Sequence, residues 1–201
     1  RAAEVDNFNL DLMYALPSQT LAEARHDLET ALAFAPPHLS LYHLTMEPNT
    51  IFAKYPPSLP DDDASADMQD MIAEATAGAG YEHYEVSAYA RAGRRARHNL
   101  NYWEFGDYLG IGAGAHGKLT LGADQDILRR WKVKHPTAYL ATAGTPDSLG
   151  GDERIAPERR PFEFMLNALR LNQGFVMADF EAWTGLPRSR IADQLRGAVA
   201  Q

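Results

Sequence analysis

Apolar and polar residues alternate near the start of the chain. Across residues 7–14 every second residue is large and apolar, and Asn9, Asp11 and Met13 occupy the positions between them. A period of two predicts a β-strand whose two faces differ in character. Further strands are predicted over residues 39–46 and 81–86.

Between these strands apolar residues recur every three or four positions, which predicts two amphipathic helices. The first begins at Thr20 and Glu23, which have the spacing of a capping box, and ends before Pro36. The second begins at Asp61, where negative charge favours a helix N-terminus. The proline-rich segment 48–60 before it is expected to lack regular structure. The alternating order predicts an α/β fold with parallel strands joined by crossover helices.

The rest of the chain has a different pattern. Residues 91–150 are rich in loops, glycine and aromatic side chains, with one strand predicted over 127–133 and a short helix over 138–141. Three helices are predicted after residue 150, similar to a small winged-helix or helix-turn-helix module. The buried face of the first, over 161–171, is expected to contain Phe162, Met165, Leu166 and Leu169. We therefore divide the chain into residues 1–90, 91–150 and 151–201.

Composition narrows the function classes. The net charge is −8, from 27 acidic and 19 basic residues, which disfavours a nucleic-acid partner. Together with the lack of a basic recognition helix, this charge favours a packing module over a DNA-binding one for the C-terminal helices. Two basic clusters, Arg91–Arg97 and Arg129–His135, are expected to be solvated surface or sites for small anions. No apolar run reaches the roughly 20 residues of a membrane span, so no transmembrane segment is predicted in this sequence. Because the sequence has no cysteine, it provides no disulfide and no thiolate ligand for an iron–sulfur cluster.

A glycine-rich string runs from Leu109 to Gly117. It resembles a dinucleotide-binding loop, but such a loop requires a helix directly after the glycines, and here Lys118-Leu-Thr-Leu follows. We expect the glycines to allow close approach to another strand or to a flat ligand.

Asp11 is the first candidate functional residue. If the strands form a barrel, its side chain points inward together with Asn9, on the face opposite Leu10 and Leu12. A carboxylate there needs a partner, because its burial without one is costly. That partner is either a ligand group, such as a ribose hydroxyl or an ammonium, or an arginine from another strand.

The segment from His98 to Trp103 is the second candidate. Imidazole can ligate heme iron, aromatic rings can stack on a porphyrin, and the preceding arginines can pair with its propionates. The alternative is structural: His98 caps a turn while Tyr102 and Trp103 fill the core.

Several motifs in order resemble one family. The matching residues are Asn9-Leu-Asp-Leu-Met-Tyr-Ala-Leu-Pro17 with Gln19-Thr20; Leu39-Ser-Leu-Tyr with Glu47-Pro-Asn-Thr50; and Tyr84-Glu85, Ser87, Tyr89-Ala90, His98-Asn99, Tyr102-Trp103 and Tyr108-Leu-Gly-Ile-Gly. By these residues the chain is identified as a member of the oxygen-independent coproporphyrinogen III oxidase-like family of radical S-adenosylmethionine (SAM) proteins. The His-Asn-x-x-Tyr-Trp element is associated with the heme-chaperone branch of that family.

The resemblance implies the C-terminal part of a partial (β/α)₆ radical SAM barrel in residues 1–90, a segment bordering the site in 91–150, and a helical, winged-helix-like domain in 151–201. It implies three cofactors: SAM, a [4Fe–4S] cluster and heme. Asp11 and Met13 would contact SAM. His98, Asn99, Tyr102 and Trp103 would contact heme, with His98 as the candidate ligand of the heme iron. The cluster cysteines of the family lie upstream of residue 1, so no cluster ligand is expected in this sequence.

The function implied is binding of heme or porphyrin and delivery of heme to hemoprotein acceptors. For such a protein we expect a cytoplasmic location, either free or at the inner face of a membrane that holds its acceptors. The alternative is the enzyme of the same family, which oxidatively decarboxylates coproporphyrinogen III. Both ends of the chain look truncated, and on its own it is expected to be inactive in SAM cleavage. A half-barrel would expose an apolar edge, so we expect a dimer, altered packing or an upstream segment that covers it.

The sequence departs from the family motif at two positions. Ala15 and Ser18 stand where the family has glycine. If the backbone there requires positive φ, each substitution costs about 1 kcal/mol and alters the loop beside the SAM site.

Overall fold

The first part of the chain forms an α/β layer on a mixed four-stranded sheet. The computed structural model describes residues 5–122 and 125–199, and the chain divides after Ala96 into two compact units. The strands of the first unit are β1 (Asn9–Tyr14), β2 (His38–His43), β3 (Glu82–Glu85) and β4 (Ala88–Ala90), and its helices are α1 (Leu21–Ala33), α2 (Ile51–Lys54) and α3 (Asp62–Gly78).

The sheet differs from the prediction by one additional strand, β4, which is antiparallel and lies between β2 and β3. The sheet order is β1-β2-β4-β3, with β1 and β2 parallel and β4 antiparallel to both of its neighbours. Strand β3 therefore runs in the direction of β1 and β2, but it does not pair with β2. The chain reverses at Val86 and Ser87 directly after β3, and the Leu41 amide donates a hydrogen bond to the Ser87 carbonyl (2.8 Å), which holds the hairpin beside β2.

The helix starts follow the predicted capping chemistry. The Thr20 hydroxyl accepts from the Glu23 amide (3.3 Å) and the Glu23 carboxylate accepts from the Thr20 amide (2.8 Å), so the predicted capping box is confirmed. Asp61 caps α3 by accepting from the Ala64 amide (2.8 Å). The expectation that residues 48–60 lack regular structure is wrong for one turn, α2, because the stretch that forms it contains no proline.

Helices α1 and α3 cover one face of this sheet. The core residues they share with the strands include Leu28, Leu39, Met68, Ile72 and Tyr89. Burial, together with the nearby Tyr14 and Glu85, raises the pKa of the Tyr89 phenol to about 12. This apolar layer leaves the other face of β1 and β2 to polar side chains.

The second unit contains a three-stranded antiparallel sheet with helices. Its strands, in the order β5-β6-β7, are β5 (His116–Leu121), β6 (Asp126–Lys132) and β7 (Leu149–Arg154). Its helices are α4 (Arg97–Trp103), α5 (Pro136–Thr142), α6 (Arg160–Ala168), α7 (Met177–Thr184) and α8 (Ala192–Val199). The predicted strand at β6 and the predicted short helix at α5 are confirmed.

Strand β7 was not predicted, and its glycines explain why. A Cβ on Gly151 would lie 2.4 Å from the Trp131 ring, and one on Gly150 would lie 2.9 Å from the Lys132 carbonyl oxygen. The close contact between β6 and β7 therefore requires residues that are typical of loops. The three-part division of the sequence stays a proposal beside the observed division after Ala96.

The buried face of α6 differs from the prediction at three of its four positions, while Met165 packs against the core as predicted. Phe162, Leu166 and Leu169 are 70%, 61% and 64% exposed, whereas Phe164 is 1% exposed. Phe164 makes edge-to-face contacts with three other phenylalanines, and this cluster sets which side of α6 faces the core. Its partners are Phe105, Phe175 and Phe180.

The buried side chain of Lys118, on β5, forms hydrogen bonds to the loop that precedes this strand. The Lys118 ammonium donates to the Phe105 carbonyl (2.9 Å), the Asp107 carboxylate (2.8 Å) and the Thr120 hydroxyl (3.2 Å). These three bonds use all three of its donors. Desolvation lowers the pKa of Lys118, and the neighbouring Asp107 carboxylate opposes that shift. Desolvation raises the pKa of Asp107, but hydrogen bonds from Lys118 and Thr120 outweigh it, so this pKa lies below its ordinary value.

Candidate functional site

The polar face of the first unit follows the register of β1 and β2. Asn9 lies opposite His38, Asp11 opposite Ser40, and Met13 opposite Tyr42. Leu10, Leu12 and Tyr14 pack against the core on the other face, so the predicted separation of the two faces of β1 is confirmed.

Asn9 links Asp11 to β2. Its side-chain amide donates to a carboxylate oxygen of Asp11 (2.8 Å), and its carbonyl oxygen accepts from the Ser40 hydroxyl (3.2 Å). The same carbonyl oxygen lies 2.6 Å from Nδ1 of His38. Three bonds therefore fix the orientation of the Asn9 side chain.

The hydrogen-bonded network continues beyond β2. Nε2 of His38 lies 2.8 Å from the Tyr84 hydroxyl, which accepts from the Ala96 amide (3.2 Å). His38 and Tyr84 are both buried. Sequence reasoning missed the role of His38. His38 lies two positions before Ser40 and therefore on the same face of β2, a strand with four buried residues. Two polar residues on one face of such a strand were the available signal.

Asp11 has the chemistry of a hydrogen-bond acceptor for a ligand. The carboxylate is exposed, and one of its oxygens is held by Asn9. The sequence left two partners open for Asp11, a ligand group or an arginine from another strand. No arginine bonds to Asp11 within residues 5–122 and 125–199, so the described residues do not provide the second of these. Met13 and Tyr42 lie beside it at the carboxyl ends of their strands and are 45% and 44% exposed, which provides apolar surface next to the acceptor.

The loop after β1 has the strained backbone anticipated from the motif. Ala15 and Ser18 have φ values of 57° and 58°, in the left-handed region that favours glycine. The Ser18 amide donates to the Ser58 carbonyl (2.9 Å) and the Gln19 amide to the Leu16 carbonyl (2.9 Å). These bonds hold the loop in this conformation despite the two side chains.

The candidate heme-binding residues all lie on α4, in the second unit. His98 and Tyr102, four positions apart, are exposed on one side of the helix. Asn99 and Trp103, also four apart, are partly buried on the adjacent side. The structure therefore divides the predicted set of four into an exposed pair and a half-buried pair.

Each pair has different neighbours. The Tyr102 ring makes an edge-to-face contact with Tyr108 (4.6 Å), whose hydroxyl accepts from Arg129 (2.9 Å). The Arg170 guanidinium lies over the Trp103 ring at 4.2 Å. Nε1 of Trp103 is buried and has no hydrogen-bond partner among the described residues.

The glycine string serves a close backbone approach, as the sequence indicated. A Cβ on Gly110 would lie 2.3 Å from the His116 carbonyl oxygen, and one on Gly117 would lie 3.1 Å from the Tyr108 carbonyl oxygen. Tyr108 pairs with Lys118 in an isolated bridge, with two backbone bonds of 3.0 Å. The glycines thus let residues 108–110 pack against β5.

No cluster of three or more His, Cys, Asp or Glu side chains that could hold a metal ion occurs in the described ranges 5–122 and 125–199. Nor does any helix in those ranges have the length and apolar character needed to span a membrane.

Comparison with known proteins identifies relatives along the full chain. The heme chaperone HemW of Haemophilus influenzae is 47% identical over 201 residues, which are all of this chain and 51% of that protein. HemW of Escherichia coli is 47% identical over 195 residues, covering 97% of this chain and 50% of that protein. HemW of Bacillus subtilis is 38% identical over 180 residues, covering 87% of this chain and 46% of that protein. The chain thus spans about half the length of the curated relatives it matches.

A solved structure has the same fold. The coproporphyrinogen III oxidase HemN from Escherichia coli, described as a radical SAM enzyme, superposes with a TM-score of 0.68 at 18% identity, over 89% of this chain and 43% of that one. No family model matches the chain. The identity to the heme chaperones over nearly the whole chain confirms the predicted resemblance, and the likeness to HemN confirms the fold over the part that superposes.

Proposed function

We propose that this chain is part of a heme chaperone, a radical SAM protein that binds heme or a related porphyrin and delivers it to hemoproteins. The observation that carries the proposal is 47% identity to the heme chaperones HemW along the whole of the chain. The matched stretch covers both units and therefore every position that holds a candidate residue.

The exposed side of α4 is the proposed heme contact. His98 provides an imidazole that is open to solvent, and Tyr102 provides a ring on the same side of the helix. One axial nitrogen and one stacking ring suit an iron porphyrin. Asn99 and Trp103 are proposed to support this surface from the adjacent side of α4.

The polar face of the first unit is the proposed SAM contact. The Asp11 carboxylate can accept from hydroxyl or ammonium groups, and Met13 provides apolar surface beside it. These residues fit SAM. A [4Fe–4S] cluster does not fit this sequence, because it has no cysteine to provide a thiolate ligand.

We propose that the first unit belongs to a partial radical SAM barrel and that the C-terminal helices form a winged-helix-like packing module. We also propose a cytoplasmic location, no nucleic-acid partner, and a second copy or further segment beside β1. Strand β1 pairs only with β2 among the described strands, which leaves a sheet edge for such a neighbour.

Heme transfer kinetics test the function. The heme-loaded chain is mixed with increasing concentrations of an apo-hemoprotein, and uptake is followed by absorbance, with heme-loaded serum albumin as the passive donor. Direct delivery predicts a rate that rises with acceptor concentration for the chain and remains constant for albumin. A rate independent of the acceptor would contradict delivery. Conversion of coproporphyrinogen III to a product with fewer carboxylates, followed by mass, would replace the proposal with the enzyme.

A further inference from the structure

We propose that His38 is a positioning residue that holds the Asp11 carboxylate in its ligand-accepting orientation, acting through Asn9 as the Nδ1–H tautomer. The inference rests on the proposed role of Asp11 as a SAM contact and extends it to the neighbouring strand. Neither motif nor spacing pointed to His38.

The Asp11 carboxylate determines which atoms of the network donate and which accept. An ionised carboxylate only accepts hydrogen bonds, so the atom of Asn9 that lies 2.8 Å from it is the amide nitrogen. The Asn9 carbonyl oxygen must then face β2, where the Ser40 hydroxyl donates to it. The reverse amide orientation would place two acceptors against each other.

The tautomer of His38 follows from that orientation. The Asn9 carbonyl oxygen can only accept, so the imidazole nitrogen 2.6 Å from it carries a proton. The opposite nitrogen, Nε2, can then accept from the Tyr84 hydroxyl at 2.8 Å. Since the Tyr84 oxygen accepts from the Ala96 amide, its own proton is available for Nε2. Every bond in the series then has one donor and one acceptor.

The burial of His38 restricts the orientation of its ring and of the Asn9 side chain. His38 is 5% exposed and lies between Asn9 and Tyr84, which come from opposite sides of β2 in the sheet. Its ring therefore keeps one orientation, and so does the Asn9 carbonyl. One oxygen of Asp11 is used by Asn9, while the other makes no hydrogen bond within the described residues and is left for a ligand. Removal of His38 should free Asn9 to rotate and Asp11 to leave this orientation.

Histidine ring NMR tests the network without any ligand. Long-range ¹H–¹⁵N spectra of the full chain distinguish the two tautomers, and the signal that disappears in His38→Asn identifies His38 among the seven histidines. The inference predicts a protonated Nδ1 and an unprotonated Nε2, with a shift toward a tautomer mixture in Tyr84→Phe. A protonated Nε2 in the unmodified chain would overturn it.

Binding of S-adenosylhomocysteine, measured by calorimetry, tests the positioning. We expect Asp11→Asn to weaken binding at least tenfold and His38→Asn to weaken it about three- to tenfold, with little further loss in the double variant. The exposed His26→Asn is the matched control and should bind normally. Full additivity, or no loss in His38→Asn, would overturn the positioning role. Normal binding by Asp11→Asn would instead refute the proposed SAM contact, whatever the NMR result.

Discussion

Replacement of Lys118 by methionine removes the charge at the centre of the second unit while keeping a side chain of similar length. Lys118 is 1% exposed, and its ammonium contacts the Phe105 ring at 4.2 Å and the Trp183 ring at 5.1 Å in addition to its three hydrogen bonds. Methionine can keep the packing against both rings. The hydrogen bonds to Asp107, Thr120 and the Phe105 carbonyl are lost.

The expected cost follows from what remains unpaired. Removing one partner of a fully buried ion pair costs about 3–5 kcal/mol. The Asp107 side chain is 34% exposed and keeps two bonds from Thr120, each of 2.8 Å, so solvent and Thr120 compensate for part of the loss. We therefore expect Lys118→Met to lower the free energy of unfolding by about 2–3 kcal/mol. The Asp107→Asn variant should cost a similar amount, because it leaves a buried cation without a carboxylate.

Urea unfolding followed by tryptophan fluorescence is the assay. All three tryptophans, Trp103, Trp131 and Trp183, belong to the second unit, so the signal reports on the part of the chain that contains Lys118. The double variant should lose about 1–3 kcal/mol less than the sum of the two single losses, because the two residues interact directly. The exposed Lys134→Met is the matched control and should change stability by less than about 0.5 kcal/mol. A loss below about 1 kcal/mol for Lys118→Met, or strict additivity, would refute this reasoning.

Three further predictions test other features of the structure. Phe164→Ala should cost about 3–5 kcal/mol and Phe162→Ala less than about 0.5 kcal/mol by urea unfolding, and the reverse order would show that α6 buries its other face. Ser18→Gly should raise the free energy of unfolding by about 0.5–1 kcal/mol, because glycine relieves the backbone strain of a positive φ at an exposed site. Ala15→Gly should gain less, since it also removes a buried methyl group. The thermal midpoint measured by circular dichroism should rise in Ser18→Gly, and a lower midpoint would contradict the strain. Because the pKa of Asp107 is lower in the folded than in the unfolded protein, its contribution to stability is complete above the unfolded pKa of about 3.9 and is lost as the pH falls through the folded value. Between pH 7 and pH 3 the urea midpoint should therefore fall less in Asp107→Asn than in the unmodified chain. Equal falls in the two proteins would count against this assignment.

Features set by neighbouring residues could be predicted from the sequence. The alternation through β1 indicated which of its side chains face the core, and Thr20 with Glu23 indicated the start of α1. The glycines between Leu109 and Gly117 indicated a close backbone approach. In each case the residues responsible lie within about ten positions of one another.

Features set by distant residues could not be predicted. His38 lies 29 positions from Asn9 and 46 from Tyr84, so the network that orients Asp11 has no local pattern. On α6 two stripes were available, and the choice of Phe164 depends on phenylalanines from other elements. The insertion of β4 between β2 and β3 depends on a turn whose residues, Val86 and Ser87, are not distinctive. Long-range packing decided each of these.

The most direct test of the proposed function is an absorbance titration of hemin into the chain and its His98→Ala variant. The exposed His135→Ala variant, from the same unit, is the control for histidines at the surface. Heme binding through α4 predicts a saturable Soret shift in the unmodified chain and in His135→Ala that is lost in His98→Ala. The same shift in all three proteins would place the heme elsewhere, and no saturable shift in any of them would contradict heme binding by this chain.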